Sequence, residues 1–231
     1  MGKHHHYPFV GAMKLLVLAN SYKLGNRCVA GIDLDTGKWV RPVSQLPGGA
    51  IPELKTAVRK DGRLVPVAPL DVVEFEVGQN RATPHHPEDV ELRGPFSLIG
   101  NMSIAELRAK FPEVVQDEGP IFGDYSDRIP AAAVLSIGSH SSLMLMQVSR
   151  FGFDKTLNIR GNPQFRGSWG ERPKHVDLVI TDPEFVHVRQ SLASGLIDGA
   201  LVTISLGEEL KGAHFKLIAA VLPLGEIIPS A

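Results

Sequence analysis

Between residues 150 and 174 the sequence sets six cations, Arg150, Lys155, Arg160, Arg166, Arg172 and Lys174, against two acids, Asp154 and Glu171. Phe151, Phe153, Phe165 and Trp169 are interleaved with them. Guanidinium and ammonium groups neutralise phosphates and flat rings stack on bases, so this mixture suits a clamp on single-stranded nucleic acid. Arg160, Phe165, Arg166, Trp169 and Arg172 are the candidate contacts. Two rings pinning an irregular loop to a core, with solvated arginines around them, would use the same residue types. The number of cations around Phe165 and Trp169 exceeds what anchoring requires, which favours binding.

A second constellation is "ANSYKLGNRCVAGIDLDTGKWVRPVS" at 19–44. Asn20, Ser21, Lys23 and Arg27 supply groups that bond phosphates or base edges, although Asn, Ser and Gly are also ordinary turn residues. Alternation over 28–34 puts Cys28, Ala30, Ile32 and Leu34 on one face, expected to be the core, and Arg27, Val29, Gly31 and Asp33 on the other. A three-residue turn, Asp35-Thr36-Gly37, with Gly37 left-handed, closes a hairpin in which Ile32 lies near Val40. The opposite face then carries Asp33 near Trp39 and Gly31 near Arg41, an indole and a guanidinium two residues apart. A base and a phosphate fit such a surface, and so does a Trp covered by a neighbouring domain with Arg41 ion-paired at the seam; the sequence leaves both readings open.

Signals for catalysis are weak. "HHPED" at 85–89 offers His85, His86, Glu88 and Asp89 as metal ligands, but adjacent strand residues point apart and Pro84 and Pro87 mark an acidic surface loop. "GSHSS" at 138–142 lacks the spacing of a nucleophile elbow, and there is no phosphate-binding loop or dinucleotide fingerprint. Cys28, the single cysteine, sits on an apolar face and excludes a disulfide framework or a multi-cysteine zinc site. No catalytic residue, metal or cofactor is expected.

The elements positioning these groups are short strands. Hydrophobic residues are 43% of the 231-residue chain and charged residues 21%, the balance of a chain that buries a core. The net charge of -1 gives no global basic field, so nucleic-acid binding must rest on a local patch. Strands are expected at 14–19, 28–34, 38–43, 71–77, 131–137, 143–150, 156–160, 175–181, 200–206 and 213–222, separated by Gly and Pro. Helices are expected at 103–111, where Ser103 and Glu106 form a capping box, and at 182–192, opened by Asp182 and Pro183. Residues 1–12 resemble a tag or non-native extension, and a boundary within 112–130 divides 13–125 from 126–231. No apolar run approaches the about 20 residues of a membrane helix, so a cytoplasmic location is expected.

The block "LVLANSYKLGNRCVAGIDLDTGKWVRPVS", with "HVDLVITDP" and "ISLGEELKGAHFKLIAAVLP" later, resembles the dual OB domain family of bacterial proteins over most of 13–222. The resemblance implies two small OB-like β-barrels, a mainly β fold with one or two short helices, and nucleic-acid binding, with some relatives in defence or mobile-element systems. Its implied site is Asn20, Ser21, Lys23, Arg27, Trp39 and Arg41. The expected function is therefore non-catalytic binding of single-stranded DNA or RNA, or a nucleotide-like ligand. A protein-interaction module, with a protein partner anchored on Trp39 and Trp169, and a metal-dependent nucleic-acid hydrolase are the alternatives. No membrane partner is expected.

Overall fold

The computed structural model describes residues 11–134 and 141–229. The chain divides into two compact units, one ending at Leu107 and the other beginning at Arg108. The first contains β1 (Gly11–Lys23), β2 (Asn26–Asp33), β3 (Trp39–Val43), a short helix α1 (Glu53–Thr56), a separate hairpin of β4 (Ala57–Lys60) and β5 (Arg63–Pro66), then β6 (Asp71–Asn80) and β7 (Asp89–Asn101). Five strands close a barrel in the order β1-β2-β3-β7-β6, with β3 and β7 parallel and the other pairs antiparallel. This is the Greek-key path of an OB barrel.

Closure depends on β1 serving two partners. Gly11–Leu16 pairs with β6 and Leu15–Lys23 with β2, and the register shifts between Val17 and Ala19 where the strand bends. Gly31 lies opposite this bulge, where a Cβ would meet the Leu16 carbonyl oxygen at 1.9 Å. Any other residue would push β1 and β2 apart. Leu15, Val17, Val29, Val40, Val73 and Phe75 fill the barrel.

That core reverses the expected faces of β2. Val29 points inward with Val40, whereas Ala30 and Ile32 lie on the outer face, with Leu16 and Leu18, and are also buried. The hairpin register differs by one residue from the expected one: Asp33 and Lys38 close the turn, Ile32 pairs with Trp39, and Gly31 pairs with Val40. The loop has four residues, Leu34–Gly37, because the Asp33 carboxylate accepts from Asp35 N and from Thr36 Oγ1 at 2.6 Å, extending the turn by one position. Gly37 is left-handed as expected, with φ of 69°.

The second unit contains β8 (Val115–Gln116), β9 (Arg128–Pro130), β10 (Leu143–Val148), β11 (Phe151–Leu157), β12 (Pro163–Trp169), β13 (Val176–Ile180), β14 (Ser194–Ile197), β15 (Ala200–Leu210), β16 (Ala213–Pro223) and β17 (Ile227–Pro229). Their order is β17-β14-β11-β12-β13-β16-β15-β10-β8, with β9 on β16. Only Ser149 and Arg150 separate β10 from β11. Counted as one bent strand, β10 and β11 repeat the first barrel's path: they pair with β15 and β12, and β13 runs parallel to β16. The helix Pro183–Arg189 plugs this barrel with Phe185, whose ring stands edge-on to Phe151, Phe153 and Phe165 at 6.2, 5.3 and 6.3 Å.

Both expected helices form. Ser103 and Glu106 exchange the capping-box bonds at 2.7 and 3.2 Å ahead of Ile104–Lys110, and Asp182 caps Pro183–Arg189. The strand expected at 131–137 does not: Ala131–Val134 is a turn of helix, and 135–137 lie outside the described residues, as do 138–140 of "GSHSS". Strands β4, β5, β7, β8, β9, β12, β14 and β17 occupy stretches where none was expected, and the strand expected at 156–160 is mostly loop because β11 ends at Leu157. Among the described residues no helix is long and apolar enough to cross a membrane.

Candidate nucleic-acid interface

In the first barrel the expected site residues face mostly inward or onto one another. Asn20 is buried and its Nδ2 donates to the Val67 carbonyl at 2.7 Å. Ser21 is buried beside the Cys28 carbonyl, 3.5 Å from its hydroxyl. Arg27 is buried, bonded through Nη2 to Glu53 of α1, with its guanidinium 4.7 Å from the centre of the exposed Tyr22 ring. Lys23 and Trp39 are half-buried.

Arg41 is 2% exposed and forms a two-pronged pair with Asp89, Nε to Oδ1 at 2.7 Å and Nη2 to Oδ2 at 3.0 Å. Burial opposes its charge. The neighbouring Cys28, then Asp89 through hydrogen bond and charge, then Glu88, outweigh it and raise the guanidinium above its already high ordinary value. For Asp89, burial dominates and pushes the carboxyl up against the pull of Arg41. The expected phosphate contact at Arg41 is thus corrected to an internal ion pair, because the guanidinium has no surface to offer. The supposed acidic surface loop at 85–89 is corrected as well: His86, Glu88 and Asp89 are buried, and Asp89 is the counter-ion that holds β3 to β7.

In the second barrel the aromatic half of the expected clamp faces inward. Phe165 and Trp169 alternate with Gly167 on the core side of β12, 2% and 4% exposed, and Trp169 packs 6.1 Å from Phe151. Neither presents a face on which a base could stack, so their assigned contact is corrected to core packing. Strand alternation that buries these rings sends Gln164, Arg166 and Ser168 outward.

The basic half does reach solvent. Arg166 Nε donates to Asp177 Oδ1 at 2.7 Å and Nη2 to the Asp177 carbonyl at 2.8 Å, on the outer face across the β12–β13 ladder. Arg160 is exposed in the β11–β12 loop, which Asn158 organises by accepting from Arg160 N at 2.9 Å and Asn162 N at 3.0 Å. The same loop holds Ile159 fully in solvent, at 101% relative exposure. Arg172, Lys174 and His175 are exposed in the β12–β13 loop at the other end of the strand. Beside this end is a cleft of about 340 Å³ lined by Glu118, Tyr125, Trp169, Glu171, Arg172 and Lys174.

A model of the dual OB-containing domain matches residues 13–221. The chain belongs to that family. A search of curated proteins finds no match. As a dual OB protein the chain is built on a fold that serves binding of nucleic acids and other oligomers through the outer surface of its second and third strands and the adjoining loops. In the second OB barrel those strands are β12 and β13, and the loop between the first two strands is the one carrying Ile159 and Arg160. Residue reading found the cations of this face, counting Lys174 without assigning it a contact, and missed Ile159 and His175. The alternation Phe165-Arg166-Gly167-Ser168-Trp169 was the available signal, since a strand there forces the rings and Arg166 to opposite sides.

Proposed function

We propose that the protein binds single-stranded nucleic acid, without chemistry on it, along the outer face of β12 and β13. The observation that carries this reading is the placement of cations at both ends and the middle of one strand: Arg160 before it, Arg166 on it, Arg172 and Lys174 after it. Seven strand residues extend roughly 20 Å, the length of a few nucleotides and within the range one OB barrel covers. Arg166 is available despite Asp177, because a surface ion pair contributes about 1 kcal/mol or less and a phosphate replaces it at small cost. Ile159 and the rim of the Tyr125 cleft offer contact to bases where the buried rings do not. Guanidinium and ammonium groups are donors with fixed positive charge that hold an anion, which supports a binding role for this face.

Three to four phosphate contacts predict an affinity for a single strand that falls about 20- to 50-fold between 50 and 200 mM salt. Fluorescence anisotropy with a labelled 12-nucleotide strand measures it. Arg160→Ala/Arg172→Ala should weaken binding at 50 mM salt at least about tenfold and flatten the salt slope by about 1.4. No binding at either salt, or binding untouched by the double substitution, overturns the proposal.

A further inference from the structure

The β4–β5 hairpin is a second, independent candidate for contact with nucleic acid, of a different form. It lies between the third and fourth barrel strands of the first unit and joins neither barrel ladder. Its base is fixed: Val58 and Val67 are in the barrel core, Val67 N donates to the Thr56 carbonyl at 3.1 Å, and Asn20 holds the Val67 carbonyl. Its tip, Asp61-Gly62, is exposed with both residues left-handed, φ of 49° and 77°, the geometry of a tight two-residue turn. A firmly rooted ribbon with a free tip is built to reach outward.

Its charges break a local rule. The register sets Lys60 directly opposite Arg63, and like charges facing across a strand pair destabilise it. Asp71 relieves Lys60, Nζ to Oδ1 at 2.7 Å. Arg63 is exposed and has no ion pair or hydrogen bond from its side chain among the described residues, and the same is true of Lys55 just before the ribbon. Arg59, opposite Leu64, projects on the other face and donates from Nη1 to the Gly62 carbonyl at 3.1 Å. The ribbon therefore carries Arg59 on one face and Arg63 on the other, and Arg63 has no anion of its own among the described residues.

A two-stranded ribbon is a shape that the duplex major groove, about 12 Å wide and 8.5 Å deep, admits, and phosphates then lie on both sides of it. A single strand offers phosphates on one side only. We infer that the β4–β5 hairpin is a duplex-DNA contact, with Arg59 and Arg63 meeting phosphates of opposite strands and Lys55 extending the contact along the backbone. This goes beyond the single-strand face of β12 and β13 and does not depend on it.

The test is anisotropy with a blunt 16-base-pair duplex and a 16-nucleotide single strand at 50 mM salt, using the full chain. The unsubstituted protein should bind the duplex. Lys55→Gln/Arg63→Gln should weaken duplex binding by about tenfold or more and leave single-strand binding unchanged. Arg160→Ala/Arg172→Ala should do the reverse. Lys55→Glu, which lies outside the ribbon's ladder and leaves its fold intact, should also weaken the duplex complex, and Arg63→Lys should retain it. Absence of duplex binding, or duplex binding unchanged in Lys55→Gln/Arg63→Gln, overturns the inference. Absence of single-strand binding by the unsubstituted protein, with duplex binding present, refutes the β12 face and leaves the hairpin standing.

Discussion

Replacing Arg41 with methionine should unfold the first barrel more readily and leave the protein's affinity for oligonucleotides as it was. Breaking a buried ion pair from one side costs about 3–5 kcal/mol, since the remaining charge stays desolvated. The Arg41 side chain is 2% exposed and that of Asp89 10%, so Arg41→Met should fall in that range. Asp89→Asn should cost less, about 2 kcal/mol, because the amide oxygen still accepts one guanidinium bond and Glu88 still faces the charge. The double variant Arg41→Met/Asp89→Leu should recover at least about 2 kcal/mol relative to the sum of the single effects. Trp39 is the one tryptophan of the first unit and Trp169 that of the second, so urea unfolding followed by fluorescence in a Trp169→Phe background reports on the barrel concerned. The pH dependence has a definite sign. Burial already raises the Asp89 carboxyl, and without Arg41 it rises further above its unfolded value of about 3.9. A carboxyl raised by folding favours the folded state while protonated, so the variant loses stability as pH climbs from about 4 through the folded value. Its deficit against the unsubstituted protein should be larger at pH 7 than at pH 4. A cost below about 1 kcal/mol together with lost oligonucleotide binding would refute this account and return Arg41 to a ligand-contacting role.

Two further outcomes bear on the second barrel. Asp182→Ala removes the acceptor for Glu184 N and Phe185 N, at 3.0 and 3.1 Å, and for Val221 N at 2.9 Å, so it should cost about 2–3 kcal/mol in urea unfolding; a loss under about 1 kcal/mol would mean the helix is held by Phe185 alone. Gly167→Ala would put a methyl 2.5 Å from Phe151 Cζ and 2.6 Å from Ile218 Cδ1 and should destabilise by about 1–3 kcal/mol; a neutral result would mean that the ring layer yields without strain.

The two barrels were legible through the family resemblance, and both helices because local chemistry decides them: the Ser103 capping box and the Asp182-Pro183 start formed as expected, as did the left-handed Gly37. The faces of β2 were not. Leu16, Leu18, Ala30 and Ile32 are as buried as Leu15, Val17 and Val29, and a strand covered on both sides loses the alternation that tells inside from outside. The one-residue register difference then arose from the Asp33 carboxylate, a side chain whose hold on Thr36 lengthens the turn without changing its composition. At β12 the error had another origin. Gly161, Pro163, Gly167 and Gly170 read as a loop, but Pro163 opens the strand, Gly167 makes room for the Phe151 ring, and the left-handed Gly161 and Gly170 lie outside it. The hairpin at 57–66 carries its own signal, Asp61-Gly62 between short runs, but each run is only four residues long and too short to show a clear period.

The interruption of the second barrel's first strand at Ser149 and Arg150 has a consequence for hydrogen exchange. In the first barrel β1 runs unbroken from one partner to the other, so its amides should open as one cooperative block. In the second, β10 is zipped to β15, while β11 belongs with β12 and β14, and the two exposed residues between them uncouple the halves. Amides of β11 and β12 should therefore exchange by openings that leave β10, β15 and β16 protected. The surface assigned to the ligand would then be the part of the barrel able to reshape itself while the rest stays closed.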